Sequence, residues 1–273
     1  MRKIAVVALL FALCALSANP VPAEELSALD YYKSGWYCRE AGDFSLGIKH
    51  MRKAYELGQT DALVEVAAWY LAGFAEVPEG ESLVGKVTEL MDLALEEGSA
   101  MAAYYWGLIY GGDPIPGDAF NGFIVSDSVI PRDMDKSVSY YQLALSMGYT
   151  KAYRYLGHIY YYGKNGALVD YAKAAEYYAQ GAAAGDITCS HLYADCLYNG
   201  IGVERDAEGA IALYQALVDA KPSNHDDYRS ALYMLGKVYD EGVFRERDEQ
   251  LAQRYYELAA SLGSKDAEEA LAH

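Results

Sequence analysis

Three sets of side chains in this 273-residue chain have types and spacing that could do chemistry. The first is the glycine pair in LYNGIGVERDAEGAIALYQAL, residues 197–217. A G-x-G step before an apolar-periodic run is how a loop can cradle phosphate at a helix start. That reading needs a third glycine where Arg205 stands, and a strand ahead of the turn. The preceding ITCSHLYADCLYN has helical periodicity instead, and no Lys-Ser/Thr follows the glycines. A phosphate cradle is therefore set aside.

The second set is Cys38, Cys189 and Cys196. Cys189 and Cys196 lie seven apart on one expected helix, about 10.5 Å along its axis, too far for a disulfide. With no C-x-x-C pair, all three read as small buried apolar residues. The third set is His158, His191 and Asp195, which could meet across a boundary between helices and hold a metal. Two imidazoles and one carboxylate are a thin donor set, and no metal or other cofactor is assigned. The H-E-x-x-H and G-x-S-x-G motifs and the serine β-lactamase set are absent, so no catalytic residue is assigned either.

The chain that must position these residues is 53% hydrophobic and 22% charged, enough to bury a large core. It opens MRKIAVVALLFALCALSANPVPAEE, a basic start and a fifteen-residue apolar run from Ile4 to Ala18, followed by a small-residue site at Ala23. Fifteen residues fall short of the roughly 20 that span a bilayer, so residues 1–23 are expected to be a cleaved secretory signal. Export to the periplasm or beyond is expected, without membrane insertion. Without Arg2 and Lys3, 20 basic residues face 39 acidic ones, a charge of −19. That charge opposes nucleic acid and anionic lipid and favours a protein partner.

A repeat organises residues 24–273. Asp43, Asp133, Asp170, Asp206 and Asp248 stand at its anchor, with Leu83 in the slot of one copy. Four beyond them come small residues such as Ser137, Ala174 and Ala210, and eight beyond come Met51, Met91, Tyr141, Tyr178, Tyr214 and Tyr256. Fifteen beyond come Gly58, Gly98, Gly148, Gly185, Lys221 and Gly263. Positions 4, 8 and 11 share one helical face, Asp suits the N-cap, and Gly suits a left-handed stop. A second helix follows each stop, with small residues at Ala67, Gly107, Gly157, Ala194 and Gly236 and stops at Gly73, Asp113, Gly163, Gly200 and Gly242. The opening glycines are then turn residues between two helices.

The copy from Ala152 to Gly185 carries Leu156-Gly157, Tyr160, Gly163, Asp170, Lys173-Ala174 and Tyr177-Tyr178. This pattern resembles the Sel-one-like repeats, a branch of the tetratricopeptide-like superfamily. About six copies cover the mature chain; the first two diverge most, with Trp36 where the family wants a small residue. The resemblance implies an all-α, right-handed α/α superhelical solenoid of antiparallel helix pairs, closed by a polar capping segment over 264–273. Cysteine-rich relatives staple each helix pair with two cysteines and have been linked with β-lactam hydrolysis. Here Gly181 faces the Cys189 slot, so that staple is missing.

Two surfaces are candidates for recognition. The link from Asp113 to Asp133 swells to PIPGDAFNGFIVSDSVIPR, where Phe120 and Phe123, with Ile124, could form a docking lip. The open, concave face of the first helices should carry Arg154, His158 and Tyr161, then His191, Asp195 and Tyr198, then Tyr233 and Lys237. Such a mixed charged and aromatic strip suits a protein or peptide partner. What the resemblance implies is an exported adaptor in envelope signalling, secretion or host contact. A hydrolase like the cysteine-rich relatives and a spacer that binds nothing are the competing classes.

Overall fold

The structure is a computed structural model that describes residues 26–116, 123–221, 225–242 and 244–272. The signal expected over residues 1–23 and Phe120 lie outside the described residues. The described residues form thirteen α-helices and no strand, as the periodicity requires. The chain divides into two compact units, residues 1–66 and 67–273.

The first unit holds α1 (Ala28–Glu40), α2 (Phe44–Glu56) and the start of α3 (Asp61–Leu71). Ser27 caps α1 in a reciprocal box with Asp30, and Asp43 caps α2 by accepting from the Leu46 amide at 3.0 Å. The small residue at the α1–α2 crossing is Gly35, one position before the expected slot. A Cβ there would meet Met51 Cε at 2.9 Å, so Trp36 is displaced from the crossing. Trp36 instead lies under the Arg39 guanidinium, 3.8 Å from its ring centre. Arg39 and Glu65 are both buried, and Tyr32 donates its hydroxyl to Glu65 at 3.4 Å. Burial pushes the Glu65 carboxyl up to about 7, although Arg39's charge pulls the other way.

The second unit continues with α4 (Leu83–Glu96), α5 (Ala100–Gly111), α6 (Met134–Ser146), α7 (Ala152–Tyr162), α8 (Tyr171–Ala183) and α9 (Ile187–Asn199). It ends with α10 (Ala207–Ala220), α11 (His225–Glu241), α12 (Glu249–Ser261) and α13 (Lys265–Leu271). From α4 onward each helix packs on the next. Asp133, Asp170, Asp206 and Asp248 cap α6, α8, α10 and α12 through the third backbone amide. In α4 the cap is Ser82 rather than the Leu83 slot, so that helix starts one residue early.

The closing glycines have positive φ, and Lys221 takes the same left-handed conformation at φ 44°. After α5 the left-handed residue is Gly112, not Asp113. In GIGVERD, Gly200 caps α9 at φ 69°, and Gly202 follows at φ 70° with its Cα against the Tyr171 carbonyl. Both are turn residues, which removes the phosphate reading. At the helix crossings, a Cβ on Gly157 would stand 2.2 Å from Tyr178 Cε1. The paired helices approach closely because that side chain is missing. At the rim, tyrosines stack in pairs: Tyr110–Tyr140 at 5.8 Å, Tyr160–Tyr177 at 5.8 Å and Tyr239–Tyr255 at 5.9 Å between ring centres.

Between α5 and α6 the long link packs inward. Ile115, Val125 and Ile130 are buried, and the Ile115 amide donates to the Phe123 carbonyl at 2.8 Å. Asp113 is buried where it accepts from Tyr141 at 3.0 Å and pairs with Lys164 of the following copy.

Candidate functional site

The open face of the first helices changes character along the second unit. On α5 the face positions are Tyr104, Leu108 and Gly111, all buried, with the Tyr104 ring among Tyr141, Tyr149 and Tyr155. From α7 onward polar side chains take over those positions, and the candidate site begins there. The α7 and α9 helices touch, as do α9 and α11, so their side chains can act together.

On α7, Arg154 is half-buried and donates to the Tyr155 hydroxyl at 3.3 Å. His158, one turn on, lies edge-on to Tyr162 at 5.7 Å and Tyr178 at 5.9 Å. Burial, then the charges of Arg154 and Lys164, push His158 down to about 4, so it is neutral at pH 7. Tyr161 is half-buried between Tyr162, Tyr171 and Tyr178.

On α9, His191 sits between two carboxylates. Its Nδ1 is 3.4 Å from Asp227 of α11, and its Nε2 is 3.7 Å from Asp195 one turn along. Burial favours the neutral ring, but the hydrogen bond to Asp227 and the two negative charges outweigh it, and His191 titrates above the usual histidine range. Burial favours the protonated Asp227, yet bonds from His191 and from Thr188 at 2.7 Å hold it below the usual carboxylate range. Tyr214 of α10 donates to Asp195 at 2.5 Å. The result is a polar seam of hydrogen bonds and ion pairs across three helices, Thr188–Asp227–His191–Asp195–Tyr214.

Tyr198 departs from its expected place on the strip. It is 5% exposed, with its ring against Phe244 and its hydroxyl donating to Glu241 at 3.2 Å. The Arg205 side chain, bonded to the Tyr198 carbonyl at 2.9 Å, folds over the same corner. Tyr233 and Lys237 are half-buried on α11: Tyr233 packs on Tyr256 at 5.9 Å, and Lys237 reaches Glu241 at 3.7 Å. Phe123 is half-buried, with its carbonyl accepting from the Ile115 amide, and Ile124 is exposed.

Among the described residues no group of three or more His, Cys, Asp or Glu side chains is placed to hold a metal ion. His158, His191 and Asp195 therefore form no such centre. Cys189 and Cys196 are buried thiols whose acidity burial suppresses, and Cys189 fills the space beside Gly181. Cys38 is not the buried apolar residue expected. It is half-buried with its Sγ 3.6 Å from His50 Nδ1, an atom that also meets Ser34 Oγ at 2.9 Å.

Sequence reasoning missed Asp227, Thr188 and the hydroxyl role of Tyr214. Asp227 closes the irregular KPSNHDD stretch, and that break in repeat length was the available signal. Tyr214 occupies a core slot and gives no sign that its oxygen reaches the face.

The pattern described as "Sel1 repeat" matches residues 23–59, 120–149, 150–186, 189–220 and 229–264, more than half of the chain. Two of the solved structures similar to it show the fold. One is c5321, a protective antigen of uropathogenic Escherichia coli strains displaying an SLR fold, at TM-score 0.68 and 23% identity over 90% of this chain. The chain spans about half of that antigen, 48% of its length. The other is a Sel1 repeat protein from Oxalobacter formigenes, at TM-score 0.56 and 21% identity over 88% of both chains. These likenesses concern the fold. No curated protein matches the sequence.

Proposed function

Because the chain belongs to the Sel1 repeat family, whose repeats commonly serve as protein-interaction scaffolds, we propose that it is a protein- or peptide-binding adaptor. The observation that carries this reading is the change at α7. Beyond it, charged and aromatic side chains occupy face positions that α5 gives to its core. A face preorganised by helix packing loses little entropy when it meets a partner. The fold is typically a non-catalytic scaffold, and no catalytic residue is proposed.

The acidic balance, −17 over the full chain, favours a partner surface of neutral or positive net charge. We place the work of the protein outside the cytoplasm, on the strength of its first 23 residues. Envelope signalling, secretion and host contact are the settings that fit. Among the described residues no helix is long and apolar enough to cross a membrane.

The test is affinity capture from an envelope fraction with wild-type protein and with Arg154→Ala/Tyr233→Ala/Lys237→Ala as baits. Loss of specific partners from the variant supports the open face as the recognition surface. Recovery of the same partners in equal amount rejects it. N-terminal sequencing of the secreted or periplasmic product tests cleavage after Ala23.

A further inference from the structure

The α11 helix begins one turn early. It starts at His225, eleven residues before its crossing glycine Gly236, whereas α5 and α9 start seven residues before Gly107 and Ala194. The added residues, 225–228, have no counterpart in those helices. Asp227 is one of them, and it is buried. Its two oxygens reach across to α9, meeting Thr188 Oγ1 at 2.7 Å and His191 Nδ1 at 3.4 Å. Asp226 beside it is exposed and pairs with Arg229 at 2.9 Å. Tyr228, the next residue, packs on the cluster around Leu232 and Tyr256. The added turn therefore has a polar latch at Asp227 and an apolar anchor at Tyr228.

The latch depends on one proton. A charged imidazole donates from both nitrogens, so it serves Asp227 at Nδ1 and Asp195 at Nε2 together. A neutral ring keeps a single N–H, and Asp227 loses the positive charge beside it. A buried carboxylate stripped of that charge is costly to keep out of water. The surroundings do not replace it. On α9 itself the ring faces Asp195, and Cys189 is a thiol whose acidity burial suppresses. From α10 comes Tyr214, whose hydroxyl is given to Asp195. Arg154 of α7 acts on Asp227 but also on Asp186. Among the described residues no charge of α8 acts on the ring. Burial opposes the proton, yet the bond to Asp227 and the two negative charges hold it, and His191 titrates above the usual histidine range.

We propose that the added first turn of α11 is a clasp that closes on α9 while His191 carries its proton and opens when that proton leaves. Opening lets Asp227 reach water and stops at Tyr228, so the rest of α11 keeps its packing. The opened turn uncovers Thr188 and His191 on the open face. The device stands whether or not that face binds a partner. Its direction follows from the ring: closed on the acid side, open on the alkaline side.

Backbone NMR of isotope-labelled protein, titrated from about pH 5.5 to about pH 9, reads both events. The Cα shifts of Asp226 and Asp227 report the turn, and the His191 ring carbons report the proton. The expected result is helical shifts at Asp226 and Asp227 on the acid side that fall by about half or more on the alkaline side. Their midpoint should be that of the His191 ring, while Leu232 and Leu235 stay helical. His191→Gln should leave the turn open at both ends of the range, and His225→Gln should keep the wild-type response. If His191→Gln does not fold, Thr188→Val carries the test. It removes a neutral bond, so the turn should open further on the alkaline side than in the wild type, still following His191. Shifts that stay constant across the range, a midpoint different from that of His191, or a response abolished by His225→Gln overturns the inference. So does a change spread evenly over α11, α12 and α13, which would be unfolding of the whole end rather than of one turn.

Discussion

The Cα of Gly202 rests against the main-chain oxygen of Tyr171: a Cβ at residue 202 would lie 1.9 Å from it. That contact joins the turn after α9 to the first residue of α8. At Gly200, two residues earlier, the nearest atom a Cβ would meet is the Arg205 Cβ, at 3.3 Å. Both residues have positive φ, so alanine costs about 1 kcal/mol of backbone strain at either place. Gly202→Ala must also push two backbones apart. Its total loss is expected near ~3 kcal/mol, against ~1 for Gly200→Ala. Denaturant melts of both variants check the difference, and equal losses would refute it.

The His191 seam sets a pH dependence. His191 has a folded pKa above its unfolded value, so its stabilisation is complete below about pH 6.5 and is lost as pH rises through the folded pKa. Groups facing it are Asp195 on its own helix, Tyr214 on α10 and Asp227 on α11, with Arg154 of α7 acting on Asp227. His191→Gln should therefore cost ~1–3 kcal/mol at pH 6 and progressively less toward pH 9. Histidine NMR should find His191 titrating above the ordinary range and His158 near 4.

In the first unit, Glu65 carries a folded pKa of about 7. A carboxyl raised on folding stabilises most below its unfolded pKa, and that contribution declines as pH climbs from about 4.5 through 7. Stability measured between pH 5 and 8 should fall with rising pH, and Glu65→Gln should flatten that part of the slope. An unchanged slope in the variant would contradict the assigned burial.

Asp113 accepts from Tyr141 and pairs with Lys164, and it is buried. Asp113→Ala leaves a tyrosine hydroxyl and an ammonium without their acceptor, at an expected cost of ~3 kcal/mol. In a double-mutant cycle with Lys164→Met, part of that cost should disappear, because the second change removes the stranded charge. Additive losses would mean that the two residues do not act as a pair.

Much of the fold was legible because its signals are local. An Asp cap, a glycine stop and a small residue at the helix crossing each work within a few positions. Where the structure differs, the difference is also local: Ser82 for Leu83, Gly35 for Trp36 and Gly112 for Asp113, each displaced by a single residue. The face was less legible because its occupancy depends on distant residues. Tyr198 fits the strip by spacing, yet Phe244 and Glu241 come back from the next hairpin to cover it. Asp113 looked like a helix stop, while its partner Lys164 lies 51 residues away. Asp227 likewise reaches His191 from another helix. No periodicity within one copy can report such pairings.

The Asp113–Lys164 joint gives the array a fixed reading order. A copy moved, duplicated or deleted at this point would set a buried carboxylate against a neighbour with no matching ammonium, although every helix in it could still form. Changes in the number of copies are therefore best tolerated away from this junction and from the α9–α11 boundary, where Asp227 answers His191 in the same specific way.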